Sequence, residues 1–385
     1  MKISACALSL LTLALPVAGW LAPASQAQSV TEIGGQKVIT LSRKAFSTTK
    51  PEFTSITVVP GRALFLQQVT ANFPGKGNVD VLASPSLAET KAVLEAAGDP
   101  YGNKLFSIGA AFLYPYPNRI RGKLSADGKT LETAWDGRKL VLPANWGGKN
   151  PGAEPHAIHG LILNRGVDEV SVKEIPGGQE VVGIMHCGDF NGQWPSKSDL
   201  KISISLTAEA VDVKIVATNV GTTPEPVAFA WHPYFNFPSG DRKQARISVP
   251  AGNYAEVNNY DEVFPTGKII PVAGTKYDFS APEGKALADT FLDDNFGDLK
   301  GKDGVITVKV VDPAAKYGVA IEGLTKNIKG IQVYAPPAKS FVAVEHQTNL
   351  NDPLGKQWAG KDNGLITLAP GKSADWHVRL KVFVP

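Results

Sequence analysis

Cysteine is almost missing from this chain: 385 residues contain two, Cys6 and Cys187. No CxxC pair can form, which removes the common zinc and dithiol motifs, and no disulfide framework can be drawn. A charge excess is also missing. Thirty-nine basic residues face 36 acidic ones, a net charge of +3 without any block of one sign, so no basic surface for nucleic acid is implied. There is no Walker loop, and "GKGNVD" at 75–80 lacks the third glycine of a dinucleotide fingerprint. Fixed-period repeats and low-complexity linkers are absent, and the 38 Gly and 28 Pro are dispersed among turns. Helical periodicity is scarce. Its one fair instance is "SLAETKAVLEAAG", 86–98, with Ser86 as N-cap and Gly98 as C-terminal stop.

The chain opens with a single basic residue, Lys2, an apolar stretch and the small-residue "SQA". This is the pattern of a secretory signal cleaved after Ala27. Ser9, Thr12 and Pro16 interrupt the apolar run, which falls short of the ~20 residues a spanning helix needs. Removing 1–27 takes away Cys6 and one charge, leaving a mature chain of about +2 that begins at Gln28 with Cys187 alone. The expectation is a periplasmic or secreted protein with no membrane span after cleavage. Such a chain has no internal disulfide and must be stabilised by its core.

Period-two alternation dominates the rest. "SITVVPGRALFLQQV", "KISISLTAEAVDVKIVATNV", "GVITVKVV", "KGIQVYA" and "WHVRLKVFV" read as half-buried strands. Turn chemistry separates others: "SADGKT" at 125–130 lies between "RIRGKL" and "LETAW", and "PGGQ" at 176–179 between "VSVKEI" and "EVVGIM". The expected architecture is all-β, one large antiparallel sandwich over residues 28–385, with helix a minor component.

Six histidines and a few oddly placed polar residues remain as candidates. His232, in "FAWHPYFNFPSG", closes an alternating segment at 201–231 and so lies at a strand end among aromatics. It is either a core-edge histidine satisfied by backbone or a reactive group. In "SFVAVEHQTNLNDPLG" the apolar "FVAV" delivers Glu345, a solvated loop starter or a positioned base. "PYPNRIRGKL" sets Asn118 and Arg119 before a strand, and "PHAIHGL" sets His159 before Gly160. His156 and His159, with Glu154 nearby, suggest metal ligands only weakly, because extended chain sends i and i+3 to opposite faces.

Taken together and in order, "NRI", "HG", "HPYFN", "LDDNF" and "FVAVEHQT" resemble the aldose 1-epimerase (galactose mutarotase) family over roughly residues 40–385, and "LITLAPGKSADWHVRLKV" looks like its closing turn and strand. Three departures stand out: His346 where proline is usual, Leu161 where a second glycine is common, and Asp294 where many members carry histidine. The resemblance implies a galactose-mutarotase-like β supersandwich and an enzyme, an isomerase that interconverts the α and β anomers of a free aldohexose such as glucose or galactose. It assigns His232 as general acid and Glu345 as general base. It assigns Asn118, Arg119, His159, Tyr234 and Asp293 to sugar binding, and it requires neither cofactor nor metal. Trp231, Tyr234 and Phe235 would form an apolar wall for a sugar face. An ionised Glu345 and a His232 kept protonated by a nearby carboxylate, Glu345 or Asp293, would serve the proton transfers. Three other readings keep part of this picture. One is a hexose 6-phosphate epimerase gripping phosphate with Arg119, Arg121 and Lys123. Another is a secreted carbohydrate-binding protein without catalysis. The last is a glycoside-cleaving enzyme using Asp293 with Glu345.

Overall fold

The computed structural model describes residues 30–148 and 150–385. The expected signal segment, 1–27, and the mature start at Gln28 lie outside the described residues. Every ladder between the described strands is antiparallel, as the alternation predicts.

A nine-stranded sheet runs in the order Glu169–Ile175, Gly178–Gly188, Ser198–Thr207, Val211–Asn219, Ser373–Phe383, Tyr317–Gly323, Ile306–Asp312, Arg246–Ser248, Lys285–Ala286. Its central strands follow the two-residue period closely. Val211, Val213, Ile215 and Ala217 face the core, while Asp212, Lys214 and Val216 face outward. A six-stranded sheet runs Tyr234–Asn236, Phe341–Gln347, Gly330–Ala335, Leu292–Leu299, Ala251–Val257, Pro265–Pro271, and a four-stranded one spans Ile39–Ser42 to Gly77–Asp80. One continuous apolar core joins the three. The indole of Trp376, in the large sheet, donates to the carbonyl of His346 in the six-stranded sheet at 2.8 Å, so the sheets are also tied by a buried hydrogen bond.

Both expected hairpins form. Leu131 pairs with Leu124 across the "SADGKT" turn, and Ile175 pairs with Gly178 across Pro176–Gly177. Two long alternating runs are broken where they read as continuous. "SITVVPGRALFLQQV" stops at Pro60 and restarts at Phe65, with Ala63 and Leu64 at φ +51° and +55°. The run 201–231 is a hairpin closed by the Thr207 N–H on the Ala210 carbonyl at 3.0 Å, followed by two short strands, Glu225–Val227 and Ala230–His232. The helix at 86–98 is Leu87–Leu94, shorter than its sequence pattern. Ser86 and Glu89 cap it reciprocally, and Gly98 comes after its end, at φ +88°. A second helix, Asn103–Ser107, is anchored by the Asp99 carboxylate on the Asn103 and Lys104 N–H groups, both at 2.8 Å.

Candidate active site

His232 ends the short strand Ala230–His232, which pairs with Ala111–Leu113. Glu345 lies inside the strand Phe341–Gln347 and not at its end; the polar residues after it are buried instead of forming a surface turn. They can be buried because they are bonded. The Thr348 hydroxyl accepts the Phe229 N–H at 2.9 Å, and Asp352 accepts the Arg121 N–H at 3.1 Å. Alternation along Phe341–Gln347 sends Phe341 and Glu345 to one face and His346 to the other, where its Nε2 meets the Ile306 carbonyl at 3.2 Å. The unusual His346 is therefore a structural residue. His232 Nε2 lies 3.4 Å from Glu345 Oε1, and the two residues are 6% and 1% exposed. Gln347 Nε2 donates to the other carboxylate oxygen at 3.0 Å.

These two groups sit in a cleft of about 290 Å³, into which Asn118, Arg119, His159, Tyr234 and Asp293 also project. All seven residues singled out from sequence converge there. Asn118 and His159 are at φ +62° and +61°, a region non-glycine residues seldom occupy and where functional side chains are often held. Their backbones lock each other: His159 N–H donates to the Asn118 carbonyl at 2.9 Å, and Asn118 N–H donates to His159 Nδ1 at 3.3 Å. Nδ1 is thus an acceptor, and the neutral ring carries its proton on Nε2. Burial lowers the basicity of His159, and the neighbouring His232 and Arg119 oppose a second positive charge there, so the ring stays neutral.

Arg119 and Asp293 form a buried ion pair at 3.6 Å, and Arg119 also donates to Asn118 Oδ1 at 2.7 Å. Gln332, which the sequence reading missed, completes the array. Its Nε2 donates to Asp293 Oδ1 at 2.9 Å, its Oε1 accepts from Asn118 Nδ2 at 3.2 Å, and its backbone lies opposite Glu345. Asp294 points elsewhere, accepting the Tyr260 hydroxyl at 3.0 Å. The apolar wall is only partly as expected. Tyr234 lines the cleft, stacked on Phe341 with centroids 4.2 Å apart, but Trp231 and Phe235 are turned into the core by the strand's alternation. Phe106, from the unanticipated helix, packs on His159 at 4.6 Å. His156 is outside the cleft, its ring against Phe264 at 4.8 Å. Among the described residues no group of three His, Cys, Asp or Glu could hold a metal.

The resting charge state differs from the expected one. Burial pushes Glu345 up to about 8 and His232 down to about 4. Each group alone favours its uncharged form, because a low-dielectric pocket penalises a charge of either sign. Arg119 and Asp293 act on both members in opposite senses, so burial dominates. Between these limits the pair shares one proton, which rests on Glu345.

The three cations proposed as a phosphate grip do not converge. Arg119 is in the cleft, whereas Arg121 and Lys123 line a separate groove. There Arg121 Nε donates to Glu154 at 3.0 Å and its guanidinium covers Phe264.

Residues 82–381 match the aldose 1-epimerase family. The chain belongs to that family. Human galactose mutarotase is 28% identical over 176 residues, 43% of this chain and 47% of that protein; the alignment spans about half of the relative's length. A galactose mutarotase-like protein from Clostridium acetobutylicum superposes with a TM-score of 0.69 at 17% identity, covering 90% of this chain and 99% of that one. Galactose 1-epimerase from Lactobacillus acidophilus gives 0.63 at 15% identity, covering 90% and 98%. These structures establish the galactose-mutarotase-like all-β fold.

Proposed function

We propose that the protein is an aldose 1-epimerase that interconverts the α and β anomers of a free aldohexose. The observation that supports this best is the His232–Glu345 pair, 3.4 Å apart and buried in a monosaccharide-sized cleft ringed by hydrogen-bonding side chains. Mutarotation needs a donor at the ring oxygen and an acceptor at the C1 hydroxyl. On sugar binding the shared proton moves from Glu345 to His232. The Glu345 carboxylate then takes the C1 hydroxyl proton while His232 gives its proton to the ring oxygen; the C1–O5 bond breaks and the C1 carbonyl forms. Rotation about C1–C2 presents the other face, and the transfers reverse. Asn118, Arg119, His159, Asp293 and Gln332 hold the hydroxyls in register, and Tyr234 offers an apolar face to the ring.

Glu345→Gln and His232→Asn each keep most of the side-chain volume and remove proton transfer. Each is expected to lower kcat by about 10²–10⁴ while calorimetry still detects sugar binding. Near-normal anomerisation by either variant would overturn the role assignment. The amino-terminal pattern supports an exported protein acting in the periplasm or outside the cell. Amino-terminal sequencing of protein from the cell envelope should begin at Gln28, and intact Met1 in the cytoplasm would refute export.

A further inference from the structure

Lys339 occupies the turn between the strands Gly330–Ala335 and Phe341–Gln347, which carry Gln332, Tyr334, Phe341 and Glu345. It is exposed, yet it lines the same 290 Å³ cleft as the His232–Glu345 pair. Of the cations among the described lining residues, Arg119 is deep and committed to Asp293 and Asn118. Lys339 forms no ion pair with any described residue. A neutral hexose offers the Lys339 ammonium no charge to meet, whereas an anionic sugar does.

We infer that the cleft prefers aldoses with a single negative charge on the exocyclic carbon, hexuronates, and that Lys339 is the residue that recognises the charge. The inference rests on the epimerase reading above, which holds C1 at His232 and Glu345; the exocyclic carbon is then the end of the sugar assigned to Lys339, at the mouth of the same cleft. The cavity volume sits at the small end of ligand sites, typically about 300–1,000 Å³, so the extra group must fit beside one ring. Among the described residues that line the cleft, Lys339 is the one uncommitted cation, and it matches the single charge of a carboxylate. A phosphate dianion calls for more, and Arg121 and Lys123, which could have supplied it, face the other groove beside Glu132 and Glu154.

The test compares kcat/KM for glucuronate and galacturonate with that for glucose and galactose, by NMR anomer exchange, and includes glucose 6-phosphate as a separate arm. The wild-type hexuronate-to-hexose ratio should exceed one and fall with added salt. Lys339→Gln should lower that ratio by up to about fivefold, the range of an exposed ion pair, through KM. Lys339→Glu should lower it further, and Lys123→Gln, in the other groove, should not move it. A ratio insensitive to Lys339→Gln overturns the inference while leaving the epimerase reading in place, and so does a larger preference for the phosphate arm. If wild type accelerates exchange of none of these sugars, it is the epimerase reading that fails.

Discussion

Arg119 is charged and only 6% exposed, so its partners decide what it contributes. It neutralises Asp293 at 3.6 Å and orients Asn118 at 2.7 Å, and its field favours deprotonation of both Glu345 and His232. Arg119→Met should therefore do three things at once. It breaks the buried ion pair with Asp293, a loss of up to about 3–5 kcal/mol of stability, read as a lower melting temperature. It raises KM for the sugar by loosening Asn118. It also moves both limbs of the pH–rate profile upward, because the field lowering the two proton affinities is gone. Unmoved limbs would show that Arg119 does not act on the pair. At this scale much was legible in the sequence. A histidine and a glutamate next to apolar strand residues invite the question of why they are there, and the family resemblance added Asn118, Arg119, His159, Tyr234 and Asp293, which line the same cleft. Gln332 was not legible, since a lone glutamine in an alternating strand reads as solvent-facing. Only the pairing of Gly330–Ala335 with both Leu292–Leu299 and Phe341–Gln347 buries it, between Asn295 and Glu345 in register and with its amide on Asp293. The proton's resting place was also hidden, because it depends on burial.

Short elements position His232 and His159. His159 and Gly160 lead out of the two-residue strand Ala157–Ile158 at φ +61° and +81°, and a Cβ on Gly160 would lie 2.2 Å from the Tyr114 carbonyl oxygen. Glycine is required there on both counts, conformation and space. Gly160→Ala should push the 157–161 segment away from Tyr114 and displace His159. The expected result is a lower melting temperature and a rise in KM; a variant with wild-type values of both would show the segment to be free to adjust. Long alternating strands and Gly- or Pro-marked turns were readable from sequence because period and turn chemistry are local. The helix Asn103–Ser107 was not, because five residues are too few to show a period. Nor was the hairpin turn between Ser198–Thr207 and Val211–Asn219, since Ala208–Ala210 carries no glycine or proline to mark it.

Across the described residues, one core joins three sheets, and the cleft opens where the six-stranded sheet meets the short strands bearing His232 and Arg119 and the His159 that follows Ala157–Ile158. The sandwich follows from composition and period. The cleft follows from residues far apart in the chain meeting at its edge, and only the family resemblance let the sequence anticipate that meeting. The central claim is that this buried pair shares one proton and uses it to open and close a sugar ring. Its most direct test is the pH dependence of polarimetric relaxation of freshly dissolved α-glucose and α-galactose with the purified protein. Above about 8 the pair has lost its last proton, and below about 4 it has gained a second. Catalysed relaxation should therefore be bell-shaped between these limits, falling on the acid side as Glu345 can no longer act as base and on the alkaline side as no proton remains for His232 to give. A profile flat from pH 4 to pH 9, or no acceleration over the uncatalysed rate, would contradict the account.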